Sequence, residues 1–183
     1  LSKNHSFDSF LIGKEDLIRN EDYKNQVNRK NLGNELDKET FLNSLGLKAS
    51  IENVTEANLA RVMQMISKTN QFNLTTKRHS ISSIKKLMSI KSNILLTISL
   101  RDKFGDQGII GLCIAIKADK LQKELIIDTF LMSCRALGRD AEDVLWSALM
   151  RYSNNKGYEV LRASYIASSK NMQVASFYNR MGM

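Results

Sequence analysis

The turn from Arg135 to Arg139 carries the residue types best suited to chemistry in this chain. It reads Arg-Ala-Leu-Gly-Arg and follows an apolar run, Leu125 to Cys134, whose β-branched and aromatic side chains are typical of a buried strand. Apolar residues at helical spacing come next, and Gly157 follows them as a predicted helix end. Such a strand, turn and helix would aim the first, unpaired helix amides beyond the strand end, where they can bind phosphate or another anion.

This turn and the stretch Asn171–Met183 resemble the two signature motifs of the GNAT (Gcn5-related N-acetyltransferase) superfamily. The turn is similar to the acyl-CoA-binding signature Gln/Arg-x-x-Gly-x-Gly/Ala, except that Asp140 stands at the sixth position. The second stretch is similar to the motif in which Asn opens a helix that ends in Tyr and then Gly. The resemblance implies an α/β fold with a mixed central sheet flanked by helices.

Other stretches are similar to the C-terminal part of FkbH-like proteins, in which a HAD-type phosphatase domain precedes a GNAT-like domain. These stretches are Glu15–Arg19, Lys68–Arg78, Asp102–Asp106 and Ser133–Arg139. The better-known members use 1,3-bisphosphoglycerate to load a glyceryl group onto an acyl carrier protein for polyketide biosynthesis. The resemblance therefore implies an acyl carrier protein and a phosphatase domain as partners.

The same resemblance implies how the chain is divided. Residues 1–50 would be a helical N-terminal extension that follows the phosphatase, and residues 51–183 the GNAT-like domain. GNAT domains usually carry one or two more strands after the glycine that corresponds to Gly182. We therefore expect this domain to lack its last strand or to receive it from elsewhere.

The GNAT resemblance also assigns binding residues. A splayed pair of strands would hold the pantetheine arm, and the oxyanion would be stabilised by a backbone amide of the central strand. The ligand would be an acyl-CoA or the phosphopantetheine of an acyl carrier protein. The residues expected to hold it are Arg135, Leu137, Gly138, Arg139 and Asn171. Asn171 would orient the cofactor or a water, or it caps its own helix.

Two residues are candidates for catalysis. A tyrosine at the position of Tyr178 often donates a proton to the leaving thiolate in the resembled superfamily, although a packed aromatic explains Tyr178 equally well. Cys134 closes the predicted strand beside the turn, and it is either a catalytic thiol or a small core residue. We expect no metal site in this domain.

Carboxylates stand where the diphosphate of CoA would arrive. Asp140 and Glu142 lie at the predicted helix start and oppose Arg135 and Arg139. Repulsion between unit charges about 4 Å apart is on the order of 4 kcal/mol at an effective dielectric of about 20. A carrier-bound phosphopantetheine has one phosphate, so the sequence predicts a preference for a carrier thioester over free CoA.

Polar loops supply further candidates. Asp102 or Asp106 either acts as a general base on the acceptor or supports a hairpin turn. The residues Asn70, Asn73, Thr75 and Thr76 either read a small acyl group or its acceptor, or they bond to their own backbone. We interpret His79, beside a predicted helix cap, as structural.

Composition limits the class of protein. The net charge is +8 over 183 residues, which favours acidic or phosphorylated partners, but the basic residues are dispersed and no nucleic-acid-binding motif occurs. No apolar run is long enough to span a bilayer, and the start of the sequence does not read as a signal peptide. We therefore expect a cytoplasmic protein whose two cysteines, Cys113 and Cys134, are reduced thiols buried in strands.

The predicted order of elements is helices, three strands, a helix, a strand and a helix. The specific expectations are a short helix capped by Asp37, a helix capped by Thr55, a helix capped by Ser80 with Ile81 inward, strands at Asn93–Leu100, Ile109–Ile116 and Tyr158–Ala167, and a loop at Arg101–Gly108.

Three functions remain open from the sequence. The first is an acyltransferase domain that acts on a carrier-bound acyl group, as in FkbH-like proteins. The second is an acetyl-CoA-dependent N-acetyltransferase. The third is a non-catalytic GNAT scaffold that only docks a carrier protein. Activity separates the third from the others, and the preferred thioester separates the first from the second.

Overall fold

A computed structural model describes residues 14–118 and 123–183 of the chain. The chain divides into two compact units, Leu1–Leu45 and Gly46–Met183. The division lies ahead of the boundary at residue 50 that the sequence suggested, because the first strand of the sheet, β1, already spans Lys48–Asn53.

The first unit contains two helices, α1 (Lys14–Glu35) and α2 (Lys38–Leu45). The Asp37 carboxylate accepts a hydrogen bond from the amide of Thr40 at 3.0 Å, so it caps α2 as predicted. Gly46 follows the last helical residue with a φ of +60°, a conformation that glycine adopts without strain.

The second unit is built on a mixed sheet. The strands β3 (Ile94–Asp102), β4 (Gly105–Lys117) and β5 (Glu124–Met132) follow β1 as antiparallel neighbours in the order β1-β3-β4-β5. The other edge of β5 has two partners. The parallel strand β6 (Val160–Arg162) pairs with its start, and the antiparallel strand β2 (Phe72–Asn73) pairs with its end. This is the mixed sheet flanked by helices that the sequence predicted.

Helices cover both faces of this sheet. One apolar cluster joins α3 (Leu59–Lys68) and α4 (Ile81–Ser89) to β5 through Leu131. A second cluster joins α5 (Ala141–Asn155) and α6 (Phe177–Arg180) to β5 through Phe130 and Met132. Successive side chains of a strand point to opposite faces, and β5 therefore contributes to both cores.

One helix start and one inward-facing residue differ from the prediction. The helix α3 begins at Leu59 rather than after Thr55, because the Asn58 side chain accepts from the Thr55 amide at 2.8 Å and donates to the carbonyl of Asn53 at 3.0 Å, which fixes a turn there. Ser80 caps α4 as predicted, accepting from the amide of Ser83. The side chain of Ile81 is 55% exposed, so the prediction that it faces inward is wrong.

The hairpin between β3 and β4 is tighter than the eight-residue loop predicted. Only Lys103 and Phe104 separate the two strands. Asp102 accepts from the amide of Phe104 at 2.9 Å, and Asp106 accepts from the amide of Gly108 at 2.7 Å. These contacts favour the turn-supporting interpretation of both carboxylates over the general-base interpretation.

The last elements are shorter than predicted. The strand expected at 158–167 pairs over only three residues, and the single helix expected after Asn171 is divided into a 3₁₀ turn (Met172–Val174) and α6. Gly182 follows α6 with a φ of +84°.

Gly111 of β4 lies where β3 and β5 come closest. A Cβ atom added there would stand 2.4 Å from Met132 Sδ and 2.5 Å from Ile98 Cγ2. We expect Gly111→Ala to lower the free energy of unfolding by about 1–3 kcal/mol, as overpacked cores do. Chemical denaturation of this variant and of the edge-strand control Ser50→Ala would measure it, and equal stability of the two would contradict the packing described.

Candidate functional site

The strands β5 and β6 run side by side only where they begin. Residues 124–126 of β5 pair with residues 160–162, and beyond Arg162 the two strands separate. The register of β5 with β4 also shifts at this level, since Ile127 faces Ala115 and Thr129 faces Ile114. Asp128 is therefore the extra residue of a β-bulge. A β-bulge near the point where two strands separate is a recurrent location for functional side chains.

The gap between β5 and the chain after β6 is filled by Phe72–Thr75. The amide of Leu74 donates to the carbonyl of Phe130 at 3.0 Å, and the Thr75 hydroxyl donates to the carbonyl of Asp128 at 2.8 Å. On the other side, the amide of Ile166 donates to the carbonyl of Leu74 at 2.8 Å. We call these four residues, which are 0–3% exposed, the inserted segment.

The inserted segment corrects one expectation from the GNAT resemblance. A pantetheine arm was expected between the splayed strands, whereas this structure has the protein's own backbone there. The segment satisfies the backbone groups of a buried strand edge, which would otherwise need another partner. It also explains why β6 is short, because the residues after Arg162 bond to the inserted segment instead of to β5.

Asn171 holds the inserted segment in place. Its amide nitrogen donates to the carbonyls of Asn73 at 2.8 Å and Ile166 at 2.9 Å. Its amide oxygen accepts from the Ser168 amide at 2.8 Å and from the Tyr165 hydroxyl at 3.0 Å. These bonds fill the capacity of a carboxamide, and the side chain caps no helix. Its predicted contact with a cofactor stays a prediction.

A cluster of charged groups lies on the bulge at Asp128. One carboxylate oxygen contacts the Lys77 ammonium at 2.6 Å, and the other contacts His79 Nε2 at 2.8 Å and the Thr129 hydroxyl at 2.9 Å. His79 Nδ1 faces the hydroxyl of Ser83 at 3.4 Å. The interpretation of His79 as structural agrees with these contacts, because they fasten its loop to the central strand.

Asp128 stays ionised in this cluster. Burial alone would raise its pKa, but the hydrogen bonds from His79, Lys77 and Thr129 and the positive charge of Lys77 outweigh burial and hold the pKa well below its ordinary value. Reasoning from the sequence missed Asp128. The one signal was a carboxylate inside an otherwise apolar strand, a position where charge needs a partner.

The Arg139 side chain is engaged by other groups of the protein. Its guanidinium is buried and lies 3.5 Å from the Asp102 carboxylate, itself buried. It also donates to Gln107 at 2.7 Å and to the carbonyl of Arg135. The Arg139 side chain therefore joins the turn to the β3–β4 hairpin, and its predicted contact with a cofactor stays a prediction.

The turn itself has the conformation that its sequence requires. Gly138 has a φ of +77° and Asp140 a φ of +54°, and Leu137 is partly buried against the core. Aspartate is one of the few residues besides glycine that tolerate this left-handed conformation. Asp140 precedes α5 without a side-chain capping bond.

Carboxylates follow in the first turn of α5. Arg180 contacts both oxygens of Asp143 at 2.7 Å and one oxygen of Glu142 at 3.4 Å. Burial, together with the negative charges of Asp143 and Asp140, raises the pKa of Glu142, although Arg180 opposes the effect. The start of α5 is thus occupied by negative charge from the protein, as the sequence suggested.

Tyr178 lies in the aromatic core that α5 and α6 share. Its ring centroid is 6.0 Å from that of Trp146 and 5.5 Å from that of Phe177. The hydroxyl is buried and has no hydrogen-bond partner among the described residues. Burial raises the pKa of Tyr178, so the hydroxyl keeps its proton.

A cleft opens at the end of β5, between α3 and the loop that holds Ser169. We call it the basic cleft, because Arg61, Lys68, Arg135 and Lys170 line it while none of its described lining residues is acidic. Its volume is about 760 Å³. Cys134 lines this cleft from the 3₁₀ turn that follows β5 and is exposed, so the prediction that it is buried in a strand is wrong.

Cys113 is fully buried in β4 as predicted, and burial raises the pKa of its thiol. The structure does not bring the two candidates for catalysis into one cavity. Cys134 lies in the basic cleft, whereas Tyr178 lies in the aromatic core.

The polar loop after α3 bonds largely to itself. Arg78 donates to the carbonyls of Ile66 and Thr69 and to the side chain of Asn70, and Asn73 accepts from the Thr76 amide at 3.0 Å. A cavity of about 260 Å³ nevertheless adjoins this loop beside Ser169 and Lys170. The structure therefore agrees with both interpretations of the polar loop, namely bonding to its own backbone and recognition of a small acyl group or its acceptor.

In residues 14–118 and 123–183, no group of three His, Cys, Asp or Glu side chains is placed to hold a metal ion. Within the same ranges, no helix has the length and apolar character needed to cross a membrane.

No protein-family model and no curated protein sequence matches the chain. Solved structures do match its fold. A transcriptional regulator from Bacillus halodurans C-125 matches with a TM-score of 0.55 and 15% identity, over 74% of this chain and 93% of that one. The ribosomal-protein-S18-alanine N-acetyltransferase from Escherichia coli matches with a TM-score of 0.53 and 11% identity, over 74% of this chain and 77% of that one.

An aminoglycoside 6'-N-acetyltransferase from Acinetobacter baumannii matches with a TM-score of 0.55 and 10% identity, over 74% of this chain and 90% of that one. At such identities the likeness concerns the fold. The second unit therefore has the fold of the GNAT acetyltransferases, as the two sequence motifs predicted.

The Asp128 cluster gives a prediction about acid stability. The folded-state pKa is depressed below about 3.9, the unfolded value for Asp, so its contribution is present above that pH and is lost as pH falls toward the folded pKa. We expect Asp128→Asn to cost about 1–3 kcal/mol at neutral pH, as loss of one partner of a buried network does. The difference from wild type should shrink below about pH 4.

Denaturant melts of wild type and Asp128→Asn between neutral and acid pH measure this difference. Asp106→Asn serves as the control, because that carboxylate contacts only its own turn in the described structure. A difference that stays constant down to acid pH would contradict the assignment of an ionised Asp128.

Proposed function

We propose that the second unit is a GNAT-type acyltransferase that takes its acyl group from a thioester on an acyl carrier protein rather than from free CoA. The fold supports acyl transfer, since two of the similar structures are named as N-acetyltransferases. The observation that carries the choice of donor is the negative charge at the start of α5, where the diphosphate of CoA would approach.

The electrostatics favour a donor with fewer phosphates. Glu142 and Asp143 stand in the first turn of α5, and Asp140 precedes it. Arg180 offsets Asp143 and Glu142, while Arg139 is engaged in the hairpin. A diphosphate placed on the first amides of α5 would therefore meet protein carboxylates at short range. A single phosphate that lies toward the basic cleft avoids this repulsion.

The acyl group and the pathway come from the resemblance to FkbH-like proteins. A glyceryl or related small acyl group, transferred during polyketide-type biosynthesis in the cytoplasm, would fit the polar loop at Asn70–Arg78. A HAD-type phosphatase domain would be a second partner. The absence of its Asp-x-Asp motif from this chain agrees with a phosphatase supplied by another domain.

Three sets of residues would have different roles in acyl transfer. Tyr178 would donate a proton to the leaving thiolate, as the GNAT resemblance implies, and its hydroxyl has no hydrogen-bond partner among the described residues. Cys134 offers an exposed thiol at the wall of the basic cleft. Arg135, Leu137 and Gly138 would hold the phosphate end of the arm, with Asn171 keeping the neighbouring loop in place.

The inserted segment favours a second candidate function. Because Phe72–Thr75 already bonds to β5 in the gap, the protein could dock a carrier protein without transferring an acyl group. Acyl transfer from an arm bound along β5 would require the inserted segment to leave the gap. An acetyl-CoA-dependent N-acetyltransferase is the third possibility, and it agrees with the names of the similar structures.

Asp140→Gly tests the choice of donor. Glycine keeps the backbone conformation at φ +54° and removes the carboxylate. We expect affinity for acetyl-CoA to rise about tenfold, or about 1.4 kcal/mol, and affinity for an acyl carrier thioester to rise less. Calorimetric titration with each ligand measures this, with Glu52→Gln on β1 as the control. Tighter binding of acetyl-CoA than of the carrier thioester by wild type would contradict the proposal.

Tyr178→Phe tests whether the domain performs transfer. We expect wild type to unload an acyl carrier thioester, and the variant to lower kcat about a hundredfold with little change in KM, as loss of a general acid does. Intact mass spectrometry of the carrier protein follows the reaction, and Tyr152→Phe on α5 is the matched control. Carrier binding by wild type without any unloading would favour the scaffold instead.

A further inference from the structure

We propose that the basic cleft is a phosphate-binding site, in which Arg61 and Lys68 of α3 act together with Arg135 and Lys170. The ligand class is a phosphate ester that carries an extended organic arm. The identity of that arm as the phosphopantetheine of the donor rests on the proposed function, whereas binding of the phosphate does not. The sequence motifs did not include Arg61 or Lys170, and they assigned no role to Lys68.

Three of the four cations that line the cleft have no carboxylate partner among the described residues. The structure gives Arg61, Lys68 and Lys170 no ion pair with any described residue, and the described lining contains no acidic side chain. By contrast, Lys77 is paired with Asp128 and Arg180 with Asp143. When cationic side chains from separate elements line one cavity without acidic residues, they create a positive electrostatic potential that attracts an anion.

Arg61 is fixed in position before any ligand arrives. Its Nε and Nη2 donate to the carbonyl of Ile109 at 3.2 and 2.9 Å, and its Nη1 donates to the side chain of Gln64. A guanidinium has five N–H donors, so two stay available beyond these three bonds. A rigid fork of this kind loses little freedom when it binds a phosphate oxygen.

A second guanidinium lies close by. Burial, and then the positive charge of Arg135, lower the pKa of Arg61. Two like charges near one cavity repel each other, and a bound anion would relieve that repulsion. Since Arg135 belongs to the 3₁₀ turn after β5, such an anion would lie against the end of the central strand.

The cavity has room for more than a phosphate. Its volume of about 760 Å³ lies in the range of about 300–1,000 Å³ that small-molecule sites occupy. Met65 and Met132 supply apolar surface within it, and Ser133 and Ser169 supply hydroxyl groups. This mixture of cationic, apolar and hydroxyl groups suits a phosphate at one end of an uncharged, amide-containing arm.

Titrations with 4'-phosphopantetheine, pantetheine and inorganic phosphate test the site. We expect phosphopantetheine to bind at least tenfold more tightly than pantetheine, and the difference to diminish as salt rises. Lys170→Met should weaken phosphopantetheine binding about threefold to tenfold. Lys170 makes no side-chain bond in the described structure, so this variant should fold. The matched control Lys86→Met, on the exposed part of α4, should leave binding unchanged.

Arg61→Met should weaken binding at least tenfold, and its melting curve shows whether loss of the Ile109 contact has altered the fold. Equal affinity for phosphopantetheine and pantetheine, or equal effects of Lys170→Met and Lys86→Met, would overturn the proposal. Competition by inorganic phosphate supports the site and assigns recognition to the phosphate group. Phosphate-dependent binding without acyl transfer would refute the proposed enzyme and leave this site standing, and transfer that is insensitive to Lys170→Met would refute the site alone.

Discussion

The fold of the second unit depends on how the backbone N–H and C=O groups along the edge of β5 opposite β4 are hydrogen-bonded. β5 is an inner strand of the sheet and contributes apolar side chains to both cores, so its backbone groups need partners on both edges. β4 supplies one edge along most of its length, while β6 supplies the other only at residues 124–126. The inserted segment Phe72–Thr75 completes the remainder, and the contacts of Asn171, Lys77 and His79 all serve to keep that segment there.

With the inserted segment in place, the positive and negative charges of the candidate site lie apart. Beyond the inserted segment, β5 ends at a 3₁₀ turn that faces the basic cleft, while the next helix begins among carboxylates. The arginines of the turn have different roles, since Arg135 lines the cleft and Arg139 is buried against Asp102. Positive charge therefore lines the cleft beside α3, whereas carboxylates lie at the start of α5.

Local sequence signals predicted the elements whose causes are local. The strand, turn and helix around Gly138 follow from periodicity and from a glycine at positive φ, and Asp37 and Ser80 cap helices through neighbouring amides. The inserted segment could not be predicted, because its strand is two residues long and its partners lie far along the chain. The cluster at Asp128 and the buried contacts of Arg139 could not be predicted for the same reason, since each depends on partners that only the folded chain brings near.

The different environments of the two cysteines have a practical consequence. Cys113 is sealed inside the sheet, while Cys134 is exposed at the wall of the basic cleft, and the sequence contains no other cysteine. A thiol-specific reagent will therefore attach to a single native position. A fluorophore or a spin label can be placed beside the cleft without any engineered residue, so the chain carries its own spectroscopic handle for whatever enters there.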